Sequence, residues 1–411
     1  MLKQIIEATR LSPEFCASLL RVPAEQFREW MDGKRPIPQF VVPELSAILG
    51  VGEKSLLAQK PIRGAGGGSL APAIWFKLRT DKLTVADREF VGLVRRLGFL
   101  MAQLDVVRGV RSSPAWRAVA QAVLEQVDRS APPAVQGKEA AISFRAAANL
   151  EHGQTGIGDL IRPRLRQIGV VVIESPIPKS SLEGCCFAIG PEGNLRPCVF
   201  ANSFKSTWFR RNEILLHEVC HGIFDLENDP VSLDFREQPT DPSALSEVRA
   251  RAFAQETLVP RSLLVHYTNQ LGLNWQCLNT HQIAELRAAV HVEQETLLCM
   301  AYESGFISEE LYRQYSDYNC GSVLREISLH AWSTREFLRR QAGESPKWIA
   351  ENRNTTVGAR SLRLPAGYVQ QVIDTLNTGE ISRAKAAELL MLDRYSFEER
   401  FGNLVAEPVP A

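Results

Sequence analysis

The sequence predicts an α+β fold, mainly α, in which a small three-stranded sheet packs on a pair of helices and helical domains flank that unit on both sides. Three observations predict it. Apolar residues recur at helical spacing over most of the 411 residues. A β-branched run, Gly169-Val170-Val171-Val172-Ile173-Glu174, breaks that spacing and reads as a buried strand. Residues 184–189 and 197–201 are two more strand candidates, separated by the turn-like Gly190-Pro191-Glu192-Gly193-Asn194. At roughly 150 residues per domain the length calls for two to four folded units. Hydrophobic residues at 45% and charged residues at 23% exclude a disordered or fibrous chain. Lys plus Arg and Asp plus Glu both number 47, so zero net charge offers no general pull on nucleic acid or anionic membrane.

The elements follow in order. A helix is expected over 2–10, a second from Pro13 with Ser12 as its cap, and a third over 24–31, stopped by Asp32-Gly33. Cys16, Leu19, Leu20, Val22, Phe27 and Trp30 have the spacing of a helix-turn-helix core. With Gly33-Lys34-Arg35-Pro36 after the third helix, this segment resembles the Cro/phage-repressor type of helix-turn-helix. Two readings stay open for it. Gln26 and Arg28 lie on the third helix as candidate base readers, giving DNA as a partner of residues 1–63. The same residues hold nine Lys/Arg against seven Asp/Glu, a balance that suits protein contacts as well.

Arg63-Gly64-Ala65-Gly66-Gly67-Gly68-Ser69 is a flexible joint and closes the first unit. Helices over 84–107 and 114–127, ended by Ser130-Ala131-Pro132-Pro133, make residues 70–130 a helical connector, with Arg95, Arg96, Arg108 and Arg111 expected on solvated faces. A helix over 155–168, the three strands and two further helices compose a core over 140–270. Helices around Ile283, Leu286, Val290, Leu297, Leu298, Met300, Leu311 and Tyr315 fill 271–345, and a pair joined by Thr378-Gly379-Glu380 fills 360–411. Residues 352–358 read as an exposed loop. The spacing in these flanks is of helix-turn-helix type but not notably basic, so substrate docking or homo-oligomer formation is expected of them.

The strongest chemical signal is His217-Glu218-Val219-Cys220-His221, inside a segment made helical by Ile214, Leu215, Leu216, Val219, Cys220, Ile223 and Phe224. Histidines four apart share a helix face one turn apart, where two imidazoles can bind one Zn2+ ion. The alternative is a pair of histidines that only hydrogen-bond on a half-buried helix. Glu218 would lie beside the metal without ligating it, free to take a proton from the attacking water and pass it to the departing amine. Asp241-Pro242-Ser243 caps a following helix. Glu247 stands on its first turn in phase with Ala250, Ala254 and Leu258, so its carboxylate can turn inward as a third ligand. Two His and one Glu leave a coordination position open, as hydrolysis requires.

These residues, with Ile168-Gly169-Val170, Gly184, Phe200-Ala201-Asn202, Arg210-Arg211, Phe253-Ala254 and Leu258-Val259-Pro260, resemble the ImmA/IrrE family of bacterial metallopeptidases over about residues 156–263. A helix-turn-helix ahead of the peptidase is a common arrangement in that family. The resemblance places the metal ligands at His217, His221 and Glu247 and the catalytic acid at Glu218. It implies a zinc endopeptidase whose protein substrate is a transcriptional repressor or another regulator, cut in response to stress or mobile-element signals. The chain departs from the family at Cys220, and at Arg249 and Arg251, which replace residues that are often Glu and Asn. A carboxylate or carboxamide there would orient a ligand ring, whereas Arg251 would not.

Asp225, one turn past His221, is either a hydrogen-bond acceptor for a ligand imidazole or a solvated residue at a helix end. His266, Tyr267 and Arg261 are candidate oxyanion donors. His152, His281, His291 and His330 have no ligand spacing. The strand over 197–202, or its neighbour, is expected to offer an edge to an extended peptide. The eight cysteines lack a C-x-x-C pair and read as buried apolar residues of a reducing compartment. No apolar run approaches the roughly 18 residues that span a bilayer, and Met1-Leu2-Lys3-Gln4-Ile5-Ile6-Glu7 lacks signal-peptide features, so a cytoplasmic protein without membrane contact is expected. The reading from another functional class is a DNA-binding regulator whose peptidase-like domain senses or scaffolds. A third is a toxin or antitoxin component acting through protein contacts.

Overall fold

The computed structural model describes residues 2–9, 11–49, 51, 53–57, 84–109, 114–150, 156–177, 180, 182–189, 196–204, 206–225, 231–235, 245–320 and 364–404. The joint at 63–69, the turn at 190–194, the Asp241-Pro242-Ser243 cap, the loop at 352–358, Arg111, His152 and His330 lie outside them. Among the described residues helices dominate, around one four-stranded sheet.

The three helices expected over the first 31 residues are present. Helices α1 (Leu2–Thr9), α2 (Pro13–Leu20) and α3 (Ala24–Met31) form with Ser12 accepting from the Phe15 amide at 3.1 Å. Helices α4 (Val42–Leu49) and α5 (Glu53–Leu57) follow, and α6 (Val85–Val107) starts at a Thr84/Asp87 capping box. After α7 (Pro114–Glu125) comes α8 (Pro133–Ala147), which the sequence pattern did not signal. Its buried face is Gln136, Gly137, Ala140, Ala141 and Phe144, mostly small side chains that give no apolar stripe.

Helix α9 (Gly158–Gln167) leads into strands β1 (Val171–Ser175), β2 (Leu182–Ile189) and β3 (Arg196–Asn202), then helix α10 (Trp208–Phe224). A fourth strand, β4 (Val231–Phe235), enlarges the expected three-stranded sheet. The order is β1-β3-β2-β4, with β1 parallel to β3 and the other pairs antiparallel. Among the described residues β3 is therefore internal and the edges are β1 and β4; of the two alternatives for an edge, the strand at 197–202 drops out because β1 pairs with it from Val171↔Cys198 to Ser175↔Asn202, and its neighbour β1 remains. Helices α11 (Leu245–Leu258), α12 (Arg261–Leu271), α13 (Thr280–Val290), α14 (Gln294–Glu303) and α15 (Glu309–Ser316) follow, and α16 (Ala366–Asn377), α17 (Arg383–Leu389) and α18 (Arg394–Phe401) complete the described chain. Among the described residues no helix is long and apolar enough to cross a membrane.

Strand alternation gives the sheet two buried faces. Val171, Ile173, Cys185, Phe187, Cys198 and Phe200 join one core with α6, the N-terminal helices and α16 to α18. Val172, Cys186, Val199 and Ala201 join the other, with α7 to α15. Leu182 shares a face with Cys185 despite the odd separation, because a bulge falls between Leu182 and Gly184. Arg95 and Arg96 are not on a solvated face: they are 2% and 4% exposed. α6 lies between the sheet and other helices, so it is enclosed on nearly all sides and its polar stripe is buried too. Arg96 pairs with Glu44 at 2.6 Å, and the Arg95 guanidinium, pulled down to about 10 by burial, lies 5.8 Å from the Phe187 ring centroid.

Glu174 of β1 ties the sheet to the helices on its second face. Its carboxylate accepts from Arg162 of α9 at 2.6 and 2.7 Å and from Arg211 of α10 at 2.9 Å. Burial opposes its charge, yet the two guanidiniums hold its pKa down to about 2. A carboxyl depressed on folding stabilises above its unfolded value and loses that contribution as pH falls through its folded value. A Glu174→Gln chain should therefore be roughly 3 kcal/mol less stable than the unmodified chain at neutral pH. That gap, read from denaturation curves, should close as pH falls from about 4.5 to about 2; a gap indifferent to pH would contradict the assignment.

Candidate metal centre

Helix α10 begins at Thr207, whose hydroxyl accepts from the Arg210 amide at 3.0 Å, and runs under the second face of the sheet. Its one-turn spacing brings the His217 and His221 rings to a centroid separation of 5.0 Å. α11 packs against it and delivers Glu247. The three donors converge: His217 Nε2 to Glu247 Oε2 is 3.1 Å, His221 Nε2 to His217 Nε2 is 3.2 Å, and His221 Nε2 to Glu247 Oε2 is 3.6 Å. A tetrahedral ion with bonds of about 2.0–2.1 Å sets its donors about 3.4 Å apart. The donor set and its spacing fit such an ion, and these three residues form the metal-type cluster among the described residues.

The cluster is largely buried. The His221 and Glu247 side chains are 4% and 3% exposed, and His217 is the most exposed of the three at 12%. Burial opposes charge on His221, but the hydrogen bonds its ring donates to Asp225 and Glu247 outweigh it and push its pKa up to about 10. Burial likewise would raise Glu247, and the two imidazoles hold it far below the usual carboxylate range. Burial pushes the Cys220 thiol well up, so it stays a neutral, apolar-like group next to the histidine.

Glu218 lies between the two histidines along the helix and is fully buried. It sits against Gly184 of β2. A Cβ at Gly184 would stand 2.7 Å from Glu218 Oε1 and 2.6 Å from Ile214 Cγ2, so only glycine lets the carboxylate lie this close to the strand.

The other sequence candidates fall as follows. Asp225 is engaged, its Oδ2 at 2.8 Å from His221 Nδ1. Sequence reasoning left this undecided, and the i, i+4 spacing with His221 was the available signal. Tyr267 gives its hydroxyl proton to the Ala289 carbonyl at 3.4 Å, and Arg261 lies over the Phe306 ring, so neither contact involves the cluster. His266 packs on Tyr267, His281 pairs with Glu285 on the surface, and His291 meets Trp208 edge to face. Gln26 is half-buried on α3, and Arg28 is exposed and paired with Glu14; neither is brought to the cluster. Arg251 is exposed.

Residues 165–286, less than a third of the chain, match the model of a peptidase M78 family described as the IrrE N-terminal-like domain. That span runs from the end of α9 to α13 and contains His217, Glu218, His221 and Glu247. No curated protein and no solved structure matches the chain.

Proposed function

We propose that this chain is a zinc-dependent endopeptidase that cuts a regulatory protein, such as a transcriptional repressor, in the cytoplasm. The observation that carries the reading is the convergence of His217, His221 and Glu247 around one point, with Glu218 on the helix of the two histidines, inside a segment similar to a peptidase domain. His217, His221 and Glu247 would hold the ion. Bound there, zinc supplies Lewis acidity toward water and toward a peptide carbonyl. Glu218 accepts the proton of the attacking water and delivers it to the departing amine nitrogen. Its dry packing against Gly184 fixes where that proton is held.

Substrate choice is assigned to the helices outside the metal-bearing pair and to the β4 edge, where an extended segment can add main-chain hydrogen bonds. The exposed side of α3 favours protein over DNA as the partner of the N-terminal helices. Glu25, Glu29 and Asp32 share a cleft there with Arg28 and Lys34, and Arg28 is already paired, so phosphates would meet carboxylates.

The test is cleavage of candidate regulators by the purified chain, stripped of metal and then given zinc. Cleavage that depends on added zinc supports the proposal; cleavage unaffected by chelation would remove it. Gly184→Ala provides a finer check. The added methyl must displace Glu218 or Ile214, and a displacement of about 1 Å costs on the order of 100-fold in rate. Zinc content should be unchanged, and a wild-type rate would show that Gly184 does not position the carboxylate.

A further inference from the structure

We infer that Asp225 and Arg249 form a positioning pair that fixes the tautomer and orientation of His221, and that Arg249 thereby couples the two helices that carry the metal donors. The inference rests on the metallopeptidase reading. Each carboxylate oxygen of Asp225 has one partner: Oδ2 meets His221 Nδ1 at 2.8 Å, and Oδ1 accepts from Arg249 Nη2 at 2.7 Å. With Nδ1 engaged by Asp225, Nε2 is the ring nitrogen that faces His217 and Glu247 and would bind the ion.

The position of Asp225 makes a purely solvated role a poor account. It is the C-cap of α10, where a carboxylate opposes the helix dipole. It stands there between two donors and is only 24% exposed.

Arg249 is itself held on three sides. Its guanidinium lies 4.2 Å from the Phe224 ring centroid, and Nη1 reaches Gln136 Oε1 at 3.4 Å. Gln136 is oriented in turn, because its amide donates to the Ala131 and Arg129 carbonyls at 2.7 and 3.1 Å. Next to it, a Cβ at Gly137 would fall 2.3 Å from the Arg249 carbonyl oxygen, so α8 presses backbone to backbone on α11 two residues past Glu247. The chain thus uses an arginine on α11 to hold a carboxylate on α10.

Co2+ titration of the purified full chain tests this. Competition with a chromophoric chelator reads affinity, and the visible ligand-field bands read coordination geometry. Asp225→Asn is nearly isosteric, but an amide oxygen and NH2 cannot accept from both His221 and Arg249. Asp225→Asn and Arg249→Met should each weaken Co2+ binding by about 10–100-fold and alter the bands, and Arg249→Lys should recover part of the loss. The double variant should lose little more than the worse single one, since the pair acts as a unit. Melting of the metal-free protein should change little, whereas a merely structural role would lower it and leave the bands alone. Wild-type affinity and bands in Asp225→Asn, or fully additive losses, would overturn the inference. An unmodified chain that takes up no Co2+ or Zn2+ would instead overturn the metallopeptidase reading on which it rests.

Discussion

A Glu218→Gln chain is expected to bind zinc as the unmodified chain does and to lose proteolysis by about 10²–10⁴-fold, the range general acid–base catalysis contributes. Gln has nearly the volume of Glu, so the side chain can occupy the same dry space beside Gly184 and Ile214 without disturbing α10. The three donors are other residues, His217, His221 and Glu247. What is lost is the ability to take a proton and return it, which no carboxamide supplies at neutral pH. Rates with a cleavable regulator and zinc content on the same preparation check both halves. Undiminished cleavage would take Glu218 out of its role, and lost zinc would mean that it also holds the metal.

Replacing a donor should have a different signature. His221→Ala removes one of three converging atoms and also the partner of Asp225 Oδ2. Zinc affinity should fall by at least about 100-fold, beyond what loss of an outer hydrogen-bond partner costs. Because a ligand that binds only the folded state stabilises it by mass action, the unmodified chain should melt higher with zinc added, by an amount that grows with zinc concentration. Glu218→Gln should keep that shift; His221→Ala and Glu247→Ala should lose most of it. A zinc-induced shift of full size in His221→Ala would mean that the ion sits elsewhere.

Sequence reading brought His217, His221 and Glu247 together, as the structure does, because the signals are local. The four-residue spacing of His217 and His221 and the phase of Glu247 with Ala250 and Ala254 are set within single helices, and helical geometry carries them into space. The same holds for the cap at Ser12. The misses are tertiary. α8 docks through Gly137, Ala140 and Ala141, whose value lies in close approach rather than in an apolar stripe. Arg95 and Arg96 look solvated until the sheet is placed on one side of α6 and α4 on the other. The link from Arg249 to Asp225 joins two helices and could not be read from either alone. β4 is different: Val231, Leu233 and Phe235 alternate after Asn228-Asp229-Pro230, a strand signal that was present in the sequence.

Metal content tests the central claim most directly. The purified chain, equilibrated with zinc and freed of excess by dialysis, should carry about one zinc ion per chain by elemental analysis, as a single His217, His221 and Glu247 cluster requires. A chain that emerges from that treatment without bound metal would contradict the account.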